Sequence, residues 1–106
     1  MPFDHYVASI FSDLAIRRFA PDSSGIYGLS NAKEWVFVGQ ADNIKAALLA
    51  HLQETDTPIS ERVPTGFAYE LCASGSRHAR FERMILELEP ICNRRMPLGR
   101  LNRRIS

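Results

Sequence analysis

The chain has 106 residues, 45% hydrophobic and 24% charged, with 13 Lys/Arg against 12 Asp/Glu and a formal net charge of +1; this is the profile of one globular domain with a modest core. No apolar run approaches the roughly 20 residues of a membrane span, and Met1-Pro2-Phe3-Asp4-His5 lacks the basic and apolar regions of a signal peptide, so a cytoplasmic domain with no membrane role is expected. Cys72 and Cys92 stand far apart without C-x-x-C spacing, which excludes a disulfide framework and a cysteine zinc site.

In chain order, Phe3, Tyr6, Val7, Ile10, Phe11 and Leu14 recur at helical spacing and predict an amphipathic helix over residues 2–16. Arg17-Arg18 suits its C-terminal dipole, and Pro21 to Gly25 breaks the chain into a loop. Ile26–Ser30 and Trp35–Gly39 are short runs of β-branched and aromatic residues around the polar Asn31-Ala32-Lys33-Glu34, which reads as a β-hairpin. Asp42 is the expected N-cap of the next helix, whose apolar side is Ile44, Ala47, Leu48 and Leu52. Residues 55–65, with Pro58 and Pro64, read as a loop. Phe67–Cys72 is a third strand, and Phe81, Met84, Ile85 and Leu88 mark a helix ending at Pro90. The fold class is α/β (α+β): a small three-stranded, mainly antiparallel sheet flanked by helices, in one domain over residues 1–106.

Charge is unevenly spread. Residues 1–76 carry a net −4 and residues 77–106 a net +5, with Arg94, Arg95, Arg100, Arg103 and Arg104 in a final stretch free of acids. With Arg77, Arg80 and Arg83, this segment could neutralise nucleic-acid phosphates; a solvated basic end is the plainer reading. The final stretch 94–106 carries no aromatic residue among its arginines, so stacking on single strands is not indicated there.

Gly25-Ile26-Tyr27, then Phe37-Val38-Gly39 ten residues on, then Asn43, His51, Glu82 and Pro90-Ile91-Cys92-Asn93 form an ordered series. This series resembles the GIY-YIG nuclease family, over about residues 24–93, with the N-terminal helix (2–16) and an Arg-rich tail (94–106) as additions. The resemblance implies a metal-dependent endonuclease acting on DNA. It implies that Tyr27 positions or deprotonates the attacking water, that His51 assists, and that Glu82 holds one Mg²⁺. A magnesium ion on a single carboxylate and several waters would polarise the phosphate. Tyrosine ionises near ~10, so Tyr27 would need a nearby cation to act as base at neutral pH.

Three positions depart from that family pattern. Phe37 lacks the hydroxyl of the second motif tyrosine, Ala41 replaces a hydrogen-bonding residue, and Ala47 stands where the family carries a helix arginine. An arginine fork neutralises a phosphate as charge builds. Loss of one such donor typically costs roughly 10²–10³ in rate, and about 10⁵ for a phosphate-clamping arginine in the best-known cases. The expectation is therefore a GIY-YIG-like domain with an eroded site, weakly active or inactive, that binds nucleic acid or a protein partner. Two alternatives stand beside it: an active Mg²⁺-dependent endonuclease with its arginine relocated to Arg77, Arg80 or Arg83, and a pure protein-interaction domain. The N-terminal helix is expected as a further layer of the core, with a surface for a partner or a second copy as the alternative.

Single residues also have plainer uses. Tyr27 suits a half-buried strand, and His51 suits a helix C-terminus. Glu82 can simply pair with His78 four residues earlier, and Asn43 can simply start a helix.

Overall fold

The computed structural model describes residues 9–95, with the side chains of Arg94 and Arg95 left outside the description. Its elements are β1 (Ser9–Ile10), α1 (Asp13–Phe19), β2 (Gly25–Ser30), β3 (Trp35–Ala41), α2 (Ile44–Leu52), α3 (Pro58–Glu61), β4 (Gly66–Leu71), α4 (Ser74–Leu88) and α5 (Ile91–Arg95). All strand pairs are antiparallel, in the order β1-β4-β2-β3. The expected small antiparallel sheet flanked by helices is present, with a fourth, two-residue strand added at its edge. Among the described residues, no helix is long and apolar enough to cross a membrane.

The hairpin forms where the sequence places it. Asn31 makes the turn: its side-chain oxygen accepts from the amides of Lys33 and Glu34, and its own amide donates to the Glu34 carbonyl. A bulge then opens between Leu29 and Ser30, so Leu29 faces Phe37 while Ser30 faces Trp35. Because side chains alternate along a strand, that extra residue turns Trp35 to the opposite face from Phe37. Two cores result. Tyr27, Leu29 and Phe67 face α1 and α2 with Ile16, Ile44 and Leu48. Ile26, Val38 and Ala68 face α4 with Met84, and Trp35, Phe81 and Ile85 pack around them. Each fully buried Leu, Ile or Met contributes about 1.5–3 kcal/mol of transfer free energy, so the sheet is held from both sides.

Three expectations are corrected. Of the helix expected over residues 2–16, the described residues are helical only at 13–16, the start of α1; before that, Ile10 belongs to β1, paired with Gly66, and the Phe11 amide donates to Thr65. Ser12 then caps α1 by accepting from the Ala15 amide. A serine able to satisfy an orphan amide starts a new helix there rather than continuing an old one. Residues 2–8, the rest of that predicted helix, lie outside the described residues, as does the tail beyond residue 95. Asn43, not Asp42, is the N-cap of α2, its side chain accepting from the Ala46 amide. Asp42 instead meets Arg77. Residues 55–65 contain the short α3, begun by a capping box in which Thr57 and Ser60 bond each other's backbone amides, with Pro58 in the first turn.

The candidate active site and its neighbours

The central strand β2 carries Tyr27 on the α2 face. Gly39 lies directly opposite on β3. A Cβ on Gly39 would come within 2.5 Å of both the Tyr27 ring carbon Cζ and its hydroxyl. The motif glycine is therefore required by close approach, since the tyrosine ring lies across the strand backbone. Gly25 is required in the same way, its missing side chain leaving room for the Glu70 carbonyl and Ile44. Gly39 sits inside β3 and makes space for Tyr27.

His51 comes from the last turn of α2. Its Nε2 lies 2.7 Å from the Tyr27 hydroxyl, and Phe37 packs against both rings, with centroids 6.2 Å from Tyr27 and 5.3 Å from His51. Beyond them, Oε2 of Glu54 stands 3.0 Å from His51 Nδ1. The approach is off the line of a hydrogen bond, and this buried nitrogen has no hydrogen-bond partner; it is an electrostatic contact, not a formed bond. Burial pushes the Tyr27 phenol well above the usual tyrosine range, and the negative charge of Glu54 pushes it further. The His51–Glu54 edge opens onto a cleft of about 230 Å³ whose other walls include Phe11, Leu52 and Ile59. Ala47, one turn before His51, is half-buried against the core on this side. Among the described residues, no Lys or Arg is paired with Glu54, and the nearest charge to Tyr27 and His51 is acidic.

The other named residues sit across the sheet. α4 covers the opposite face, and Glu82 lies exposed on it, its carboxylate 3.5 Å from His78 Nε2. His78 Nδ1 in turn meets Gln40 Nε2 at 3.0 Å. It is Phe81, one position earlier, that turns in against the sheet, which directs Glu82 elsewhere on the helix. No hydrogen bond or ion pair among the described residues joins Glu82 to Tyr27 or His51. No group of three or more His, Cys, Asp or Glu side chains gathers there as a metal site either. Magnesium was expected on Glu82 through a single carboxylate and waters; Glu82 is exposed on α4, and its carboxylate would hold such an ion from that face.

Of the arginines named for phosphate contact, two are engaged inside the fold. Arg77 donates through Nη1 to Ser24 Oγ (2.9 Å) and Asp42 Oδ1 (2.7 Å), and through Nε to Gln40 (3.2 Å). Arg80 makes a two-pronged bond to the buried Glu70, at 2.8 and 2.9 Å. Arg83 is exposed on α4. Arg94 and Arg95 lie beyond the described side chains.

Sequence order alone did not reveal one contributor, Glu54. Glu54 belongs to no motif, although its place three residues after a helix-end histidine is a usable signal. Asn93 serves the edge strand: the Val38 amide donates to its Oδ1 at 2.7 Å, and its Nδ2 donates to the Val38 carbonyl at 3.0 Å. The Pro-x-x-Asn element thus closes back onto the Phe37-Val38-Gly39 motif and occupies part of an otherwise open sheet edge.

A hairpin with its tyrosine over the partner glycine, backed by a histidine-bearing helix and closed by an asparagine on the edge strand, defines a nuclease-type α/β scaffold. No family model matches the chain. The curated UvrABC system protein C of Hydrogenobaculum sp. (strain Y04AAS1) is 32% identical over 78 residues, an alignment taking in 74% of this chain and only 14% of that protein. Among solved structures, the GIY-YIG N-terminal endonuclease domain of UvrC from Thermotoga maritima, bound to magnesium, superposes with a TM-score of 0.59 at 20% identity. That match covers 71% of this chain and 91% of the other. Point mutants of the same domain, bound to its catalytic divalent cation, match with a TM-score of 0.59, covering 71% of this chain and 90% of theirs. The chain shares the fold of those GIY-YIG domains.

Proposed function

We propose that this domain keeps the GIY-YIG scaffold and part of its acid–base apparatus, cuts phosphodiesters weakly or not at all, and acts by binding nucleic acid. The observation that carries this reading is the composition of the Tyr27 site. A buried phenol hydrogen-bonded to His51 faces Glu54, while the helix position suited to a phosphate-binding arginine holds Ala47. A phosphate arriving there would meet a carboxylate and find no guanidinium to offset its charge. Glu82, on the other face, does not restore the balance. Nucleic-acid binding is supported by the +5 charge of residues 77–106 and by the likeness to an endonuclease domain.

The test is duplex-DNA affinity measured across a salt series. Each phosphate neutralised contributes a slope of about −0.9 in log K against log salt, so affinity should fall steeply with salt. Absent or salt-insensitive binding would remove nucleic acid and leave a protein partner as the occupant.

A second reading, an active Mg²⁺-dependent endonuclease, is favoured by the 2.7 Å Tyr27–His51 contact. It would need a relocated arginine, and Arg77 and Arg80 already satisfy Asp42 and Glu70.

A further inference from the structure

We infer that Glu54 is a positioning residue for Tyr27, acting through His51: its carboxylate fixes the imidazole so that Nε2 stays an acceptor for the tyrosine hydroxyl. The inference deepens the reading of Tyr27 and His51 as the retained acid–base half of the site. No part of the family motif series extends to residue 54.

The contacts run outward from Tyr27 through His51 to Glu54. Burial keeps the Tyr27 phenol protonated, so its O–H donates the 2.7 Å bond to a neutral imidazole. A neutral imidazole that accepts at Nε2 must carry its hydrogen on Nδ1. That N–H is buried and has no hydrogen-bond partner, and Glu54 Oε2 lies 3.0 Å from the nitrogen, off the N–H line, as its charged neighbour. The carboxylate has its own anchor, since Thr57 Oγ1 donates to Glu54 Oε1 at 3.3 Å and Thr57 is the capping residue of α3. A short helix with little core of its own thereby holds the outer end of a tyrosine–histidine–carboxylate relay. The other named walls of the cleft are apolar, so His51 and Glu54 are the titratable groups facing one another there.

The chemistry follows the logic of a nucleophile or base, its proton acceptor and an orienting acid. When Tyr27 takes a proton from an attacking water, its hydroxyl proton passes to His51 Nε2. The resulting imidazolium, protonated on both nitrogens, faces the Glu54 carboxylate, and the water-derived hydroxide is free to attack. Charge is conserved at each transfer. Without Glu54 the ring is free to hold its proton on Nε2, which turns the acceptor into a donor and blocks the transfer.

Nitrogen-detected NMR of the His51 ring in the full chain reads the tautomer directly and does not depend on cleavage. Wild type should show Nδ1 protonated and Nε2 as the acceptor. Glu54→Ala should lose that preference, whereas Glu54→Gln should retain it through its amide oxygen. Alkaline titration of Tyr27 should move to lower pH in both variants, because the charge that raises it is gone. A proton on Nε2 in wild type, an unchanged tautomer in Glu54→Ala, or an unmoved Tyr27 titration in Glu54→Gln would each overturn the assignment. Any of these can happen whether or not the domain binds DNA, so failure here is distinct from failure of the proposed function.

Discussion

On the α2 face of the sheet, Tyr27, Phe37 and His51 close around one short hydrogen bond with an acid beside it; on the α4 face, Arg77 and Arg80 are tied to Asp42 and Glu70. The first face places a proton donor and acceptor where a reacting group could use them. The second pairs Arg77 with the exposed Asp42 and Arg80 with the buried Glu70, and leaves Glu82 and Arg83 in solvent. Residues that follow one another in a motif series thus end on different faces, and the strand alternation around the bulge decides which. A nuclease site needs proton transfer and phosphate charge stabilisation in one place. In the proposed reading, Tyr27 and His51 on one face of the sheet and Glu82 on the other would have to act together.

That contrast can be strained in order of expected effect. Arg80→Ala leaves the Glu70 carboxylate, only 9% exposed, without its guanidinium; loss of one partner of a buried pair should cost about 3–5 kcal/mol in denaturant unfolding. A loss under 1 kcal/mol would mean that the α4 arginines are free for other work. Gly39→Ala drives a Cβ into the Tyr27 ring, and overpacking of this kind should cost about 1–3 kcal/mol. Adding Tyr27→Ala should relieve part of that cost, giving a non-additive double-mutant cycle. Strict additivity would break the claim that Gly39 exists to seat Tyr27.

Alkaline pH addresses the same face. Tyr27 ionises at higher pH folded than its unfolded value of about 10, so the folded state holds its proton longer. Stability from this group is full below about pH 10 and is lost as pH rises through the folded value. Unfolding midpoints followed from pH 8 upward should therefore fall, and Tyr27→Phe should flatten the fall. Ala47→Arg should add a phosphate donor beside His51 and raise any nicking activity, by up to about 10²–10³-fold for a well-placed donor. The smallest effect belongs to Glu82→Ala: an exposed His–Glu pair is worth tenths of a kcal/mol, so thermal unfolding should barely move.

The sequence made the central hairpin, β4, α2 and α4 legible, because period-2 and period-3.6 patterns there coincide with what is buried: Ile26, Val38, Leu48 and Met84 are all fully covered. The N-terminal pattern misled. Ile10 and Leu14 fit a helical stripe, yet they are 73% and 75% exposed, and Ile16 and Ala20 are the residues that pack. The stripe ran through a capping serine whose local bond overrode it. β1, at two residues, is too short to show alternation. In the site, motif order foretold that Tyr27 and His51 belong together. It could not foretell on which face a helical residue falls: one step along α4 separates the inward Phe81 from the outward Glu82. Glu54 was hidden because its role depends on the fold of α3, held by the Thr57 cap.

The most direct test of the central claim is supercoiled-plasmid nicking in Mg²⁺ by the wild-type chain, with Glu82→Ala in parallel. If the sheet divides the site, wild type nicks no faster than buffer and the variant behaves the same. Wild-type cleavage that Glu82→Ala abolishes would contradict the account, because it would place that carboxylate in a working site with Tyr27.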